Sequence, residues 1–114
     1  MEENYLMSDT IQLIETEADF VAATASGVVI VDFFATWCRP CRMQLSILDT
    51  LASELTGRAK IVKIDTDKLK DIAEKWGVQS IPTLFLLKDG QKIQQFVGMQ
   101  QADILRNAVE QAAR

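Results

Sequence analysis

Histidine is absent from all 114 residues. Without an imidazole base, Cys-His and Ser-His nucleophilic dyads are excluded. Zinc also loses its commonest nitrogen donor. Cysteine occurs twice, so a four-donor structural zinc site would need carboxylates or a second chain, and no metal is expected. The five glycines form no phosphate-cradling loop, so nucleotide binding has no support. The longest apolar run, 28–35, is interrupted by Asp32 and is far shorter than the roughly 20 residues that span a bilayer. Lys and Arg number 12 against 16 Asp and Glu, for a net charge of −4. With so few clustered cations, nucleic acid is not an expected partner. The opening MEENYLMSDT carries Glu2 and Glu3 and no apolar stretch, unlike an export signal. The expectation is a cytoplasmic chain with no membrane partner.

What is present suits one domain: 48% of residues are apolar, enough for a core. Residues 1–10 read as an extension and 11–114 as the domain. Ile11–Ile14 is a short strand. Thr16 with Asp19 resembles a capping box that opens a helix to about Thr24, and Ser26-Gly27 breaks it. Val28–Phe34 is nearly all apolar and β-branched or aromatic, as in a parallel strand buried on both faces. Leu45, Leu48, Leu51, Ala52 and Leu55 then share one helical face, with Gly57 as the stop. Lys60–Asp65 is a strand. Asp67 reads as the cap of a helix bearing Leu69, Ile72, Ala73 and Trp76, ended by Gly77. Thr83–Leu87 and Lys92–Val97 flank Asp89-Gly90, a hairpin signal. Ile104, Leu105, Ala108, Val109 and Ala112 mark the last helix. The order βαβαβαββα implies an α/β fold with a parallel sheet and an antiparallel edge.

Both cysteines lie in ATWCRPCRM, residues 35–43. As a purely structural staple the pair would be weak: closing a four-residue loop stabilises by only about 2 kcal/mol on the loop-entropy estimate. Placement favours a reaction centre. The pair lies between a buried strand and the start of a helix, where sites of open α/β sheets gather. Cys38 at a helix N-terminus meets unpaired N–H groups and the positive end of the dipole, which favour a thiolate. Cys41, at i+3, shares its helix face and can attack a mixed disulfide formed on Cys38. Pro40 sits in the first turn, where its missing N–H costs nothing.

WCRPC resembles the active-site motif of the thioredoxin family. The resemblance runs from about Ile11 to Arg114 and includes VDFFATWC, the KID segment, KWGVQSIPT, LKDG and FVG in order. It implies the thioredoxin fold, a central mixed five-stranded sheet flanked by four helices. It implies dithiol–disulfide exchange, with Cys38 attacking and Cys41 resolving, a redox-active Cys38-Cys41 disulfide and no bound cofactor. It implies disulfide-containing substrate proteins and recycling by an NADPH-dependent thioredoxin reductase, the chain acting as a monomer. Carried onto matching positions, Asp32 is the family's buried aspartate, Lys63 its lysine neighbour, and Pro82 the cis-proline facing the cysteines. Burial would raise the Asp32 pKa and let it take the Cys41 proton, through water. The plainer alternatives are a solvated carboxylate and a lysine whose amine snorkels to water. Pro82 offers no N–H, which leaves the Ile81 backbone for an extended substrate segment. Trp37, Arg39, Pro40, Ile81, Pro82, Val97 and Gly98 form the expected substrate-binding surface.

Three residues depart from the best-known members. Arg39 replaces a glycine and puts a cation beside Cys38, with Arg42 a second. Ser46 stands where a helix-kinking proline is common, so a straighter helix is expected. Ser80 precedes Ile81-Pro82 where glycine is frequent. Arg39 keeps an oxidase or isomerase direction open beside the reductase. A docking subunit without redox turnover is the other alternative.

Overall fold

All seven residues of β2, Val28–Phe34, are buried, which requires cover on both faces of the strand. The computed structural model describes residues 11–114; the expected extension, 1–10, lies outside the described residues. Among the described residues the strands are β1 (Gln12–Leu13), β2, β3 (Lys60–Asp65), β4 (Thr83–Lys88) and β5 (Gln91–Val97). The helices are α1 (Glu17–Thr24), α2 (Arg39–Glu54), α3 (Lys70–Lys75) and α4 (Ala102–Ala112). The strands form one sheet in the order β1-β3-β2-β4-β5. β1 and β2 run parallel to β3, β2 pairs antiparallel with β4, and β4 with β5.

Side chains alternate across a strand, so β2 serves two cores. Ile30 and Phe34 pack with Leu45, Leu48 and Leu51 of α2 and with Leu105 and Val109 of α4. Val29, Val31 and Phe33 pack with Phe20 and Ala23 of α1 and with Ile72 and Ala73 of α3. The same alternation sends Asp32 to the α2 side, and the register sets it directly beside Lys63 of β3.

Local signals explain several element ends. The Asp19 N–H donates to Thr16 Oγ1 at 3.0 Å, the forward half of the expected capping box. Thr16→Ala should therefore lower stability by about 1 kcal/mol in chemical denaturation. The hairpin turn takes positive φ at Asp89 (51°) and Gly90 (81°), as a two-residue mirror-image turn demands. The Asp89 carboxylate also accepts from the Gly27 N–H at 2.8 Å.

Three boundaries differ from the sequence reading. The first strand shrinks from Ile11–Ile14 to Gln12–Leu13. α2 ends at Glu54 with Leu55 as its cap, before the expected stop at Gly57. Asp67 does not cap α3: the helix starts at Lys70, its cap position is Leu69, and no side chain bonds there. The Asp67 N–H instead donates to Asp65 Oδ1 at 2.9 Å, a turn that holds the Asp67 carboxylate for a distant partner.

Candidate active site

The C-terminal end of β2 feeds the buried Ala35 and the exposed Thr36-Trp37 bend, and α2 begins immediately afterwards. Cys38 is its cap residue and Cys41 lies in its first turn. The two are joined as a disulfide. Cys38 Sγ accepts from the Cys41 N–H at 3.2 Å, so one of the otherwise unpaired amides of the helix start is aimed at this sulfur. Cys38 is 5% exposed and Cys41 0%. Pro40 occupies the first turn, and α2 continues unbroken through Ser46.

Facing the sulfurs is the turn before β4. The Ile81-Pro82 peptide bond is cis, and the Ile81 carbonyl oxygen lies 3.9 Å from Cys38 Sγ. The Pro82 carbonyl accepts from the Gly98 N–H at 2.8 Å, extending the β4–β5 ladder beyond the Thr83–Val97 pair. Gly98 has φ 89°, and a Cβ there would meet nothing within 4 Å. The backbone angle, rather than space, calls for glycine.

Trp37 is 68% exposed and Val97 61%. Arg39 and Pro40 are also exposed, Ile81 and Gly98 are half-buried, and Pro82 is buried. The Trp37 ring is anchored: its Nε1–H donates to Asp67 Oδ2 at 2.8 Å. A groove of about 220 Å³ lies beside it, lined by Thr66, Val78, Gln79, Ser80 and Ile81 among others. The Arg42 guanidinium donates to the Thr36 carbonyl at 3.2 Å, which braces the bend. Trp76, by contrast, lies edge-on to Phe20 and Phe85 on the opposite face of the sheet.

Beneath α2, Asp32 and Lys63 are both fully buried, so neither the solvated carboxylate nor the snorkelling lysine is found. Neither Asp32 oxygen has a hydrogen-bond partner among the described residues. Burial pushes the Asp32 carboxyl up to about 8, with Lys63 only partly opposing it. Burial pulls the Lys63 amine down, while the charges of Asp49 and Asp32 push it back up. A carboxyl poised near neutrality can give or take a proton at physiological pH.

Two residues of this site were not singled out from the sequence. Asp67 looked like a helix cap. Gln44 lies on the apolar stripe of α2 and is fully buried. A polar residue between Cys41 and Leu45 was the only signal.

A cysteine that caps a helix, bonded to a fully buried one a turn later, defines a thiol–disulfide exchange centre. The thioredoxin family profile matches residues 10–111. Thioredoxin from Staphylococcus aureus is 44% identical over 95 residues, spanning 83% of this chain and 91% of that one. The solved structure of a single-site mutant thioredoxin from Halobacterium salinarum superposes with TM-score 0.86 at 32% identity, covering 95% of this chain and 96% of that one. Thioredoxin from Malassezia sympodialis gives 0.82 at 31% identity, covering 91% of both. The chain belongs to the thioredoxin family. It is a protein-disulfide reductase that works by dithiol–disulfide exchange at Cys38 and Cys41. Disulfide-bearing proteins and a thioredoxin reductase are the partners the family implies in general. No helix among the described residues is long and apolar enough to cross a membrane. No cluster of three or more His, Cys, Asp or Glu among them could hold a metal.

Proposed function

We propose that this chain reduces protein disulfides in the reducing cytoplasm, with Cys38 as the attacking and Cys41 as the resolving thiol. The observation that carries this division is the Cys41 N–H aimed at Cys38 Sγ, Cys38 being the less buried of the two cysteines. An anionic sulfur gains most from that donor. The Cys38 thiolate attacks one substrate sulfur and expels the other as a thiolate. Cys41 passes its proton to the Asp32 carboxylate through water. The Cys41 thiolate then attacks Cys38 Sγ, and the second substrate thiolate leaves. Two electrons have moved from the dithiol to the substrate. An NADPH-dependent thioredoxin reductase returns them.

Substrate docks as an extended segment along the Ile81 backbone. Trp37, Pro40, Val97 and Gly98 supply the surrounding apolar contact, and Pro82 keeps the approach to Cys38 free of a competing N–H. Lys63 tunes Asp32 from the neighbouring strand. Residues 11–114 act as one domain, working as a monomer.

The test is the reduction potential of the couple, equilibrated against glutathione and read by tryptophan fluorescence. The reference figure for thioredoxin itself is about −270 mV, an established value rather than one obtained from this geometry, and that for the disulfide isomerase is about −180 mV. A value near the first supports the reductase; one near the second reverses the direction of electron flow. Arg39 supports that second reading, because an exposed cation next to Cys38 stabilises the reduced, thiolate form and makes the couple more oxidising. Arg39→Gly should lower the potential by about 10–30 mV at low salt, and less as salt rises. An unchanged or higher potential would remove Arg39 as a tuning group.

A further inference from the structure

Gln44 is a fully buried amide in the helix that carries the cysteines. It lies one turn beyond Cys41. Its Oε1 accepts from the Gln100 N–H at 2.6 Å, and its Nε2 donates to the Gln100 carbonyl at 3.0 Å. Both ends of one side-chain amide are therefore paired with both polar groups of a single backbone residue. Turning the amide over would set donor against donor and acceptor against acceptor, so one orientation alone fits. Gln100 in turn donates its own Nε2–H to the Gly98 carbonyl at 3.1 Å. Gly98 donates to Pro82, next to the Ile81 carbonyl that lies 3.9 Å from Cys38 Sγ. An unbroken chain of contacts thus runs from α2 out to Gly98 and Pro82 and back to the reactive sulfur.

We infer that Gln44 is a positioning residue: it locks the segment from Gly98 to Gln101 to the active-site helix and so sets the height of the docking wall above Cys38. The inference rests on the proposed docking of substrate along Ile81, Val97 and Gly98. Three features of the site support it. A buried amide is retained on an apolar stripe, where it costs stability unless fully bonded. Its partner residue lies in a connection between β5 and α4 that has no ladder of its own beyond Gly98. And the locked segment begins at the glycine whose φ of 89° directs the chain past Pro82. An apolar side chain of equal length would fill the space but leave the Gln100 N–H and carbonyl unpaired in a half-buried place. The segment would then move to find water, and Gly98 with it.

The experiment is reduction of insulin disulfides by the full chain under dithiothreitol turnover, comparing the parent with Gln44→Met. Gln44→Met should raise KM for insulin about three- to ten-fold, the scale of one or two lost hydrogen bonds, with kcat changed less than about two-fold. Gln44→Glu keeps the acceptor for the Gln100 N–H and should recover part of the KM at low pH, where its carboxyl is neutral and can also donate. A fall in kcat with KM unchanged would overturn the inference, as would unchanged KM and kcat. If the parent itself does not reduce insulin, the docking reading fails first, and that outcome is visible without any variant. Should Gln44→Met not fold, amide hydrogen exchange in the parent decides the matter. The Gln100 N–H should be protected at least about 100-fold over a free peptide; exchange at the free rate would show that no clamp exists.

Discussion

A Cys41→Ser chain is expected to attack a protein disulfide once and then stop, holding its substrate as a mixed disulfide on Cys38. Cys38→Ser should form no such species. Both variants should lose multiple-turnover reduction by on the order of 10³-fold or more. The asymmetry follows from placement. Cys38 caps α2 beside the exposed Trp37 and receives the Cys41 N–H, whereas Cys41 is fully buried inside the first turn. In the proposed docking a substrate sulfur approaches the first along the Ile81 backbone, whereas the second, fully buried, is shielded from it. Removing Cys41 deletes only the intramolecular attack that frees the substrate. Non-reducing electrophoresis after mixing with an oxidised protein substrate reads the outcome directly, and a trapped adduct on Cys38→Ser instead would invert the assigned roles. Replacing both cysteines by serine separates chemistry from docking: a chain that only docks partners would keep its function, and an exchange catalyst would lose it.

The parts of this site that could be read from the sequence are those whose signal is local. VVIVDFF declares a strand covered on both faces because six of its seven residues are β-branched or aromatic and apolar, with no polar alternation. Asp32 stands out against that run for the same reason. Asp89-Gly90 encodes its turn in two residues. Cys38 and Cys41 are separated by a single helical turn, so their chemistry follows from spacing and from the helix start. What the sequence hid depends on partners far along the chain. Asp67 has the look of a cap, since a carboxylate ahead of an apolar helix usually is one. Its actual partner, the Trp37 indole, lies 30 residues away, and α3 starts without a side-chain cap. The Gln44 clamp joins positions 56 apart, and nothing near Gln44 announces Gln100. The irregularity where β4 passes from Leu86 to Leu87 opposite β5 leaves no mark in an edge strand whose residues are mostly exposed. Two of these hidden contacts brace loops around the sulfurs, which is where long-range pairing has to replace regular ladders.

Asp32→Asn is expected to stabilise the oxidised protein strongly at high pH and hardly at all at low pH. In the unfolded chain this carboxyl ionises near its ordinary value of 3.8, whereas burial in the fold holds it at about 8. Between those values the folded chain keeps a proton that the unfolded chain has released. Stability must then fall as pH rises through the window from about 4 to about 8. Above it both states are ionised and the cost of the buried charge is fully expressed. A displacement of that size is worth on the order of 5 kcal/mol, a large part of the roughly 5–15 kcal/mol that holds a domain folded. Asparagine has the same shape and no charge, so its advantage should be near zero at pH 4 and reach several kcal/mol by pH 9. Urea unfolding of the oxidised parent and variant at the two pH values measures it. Equal gaps at both would mean that Asp32 is ionised in the fold throughout, with Lys63 neutralising it. If Asp32 acts as proposed, the same substitution should slow release of the mixed disulfide near pH 7 by about ten-fold or more, because the resolving thiol would lose its proton acceptor. On the proposed mechanism the stability cost and the catalytic gain have one source: among the described residues the Asp32 carboxyl has no hydrogen-bond partner, and burial on the sheet face that packs against the helix of the cysteines raises its pKa to about 8, close to the pH at which the exchange must run.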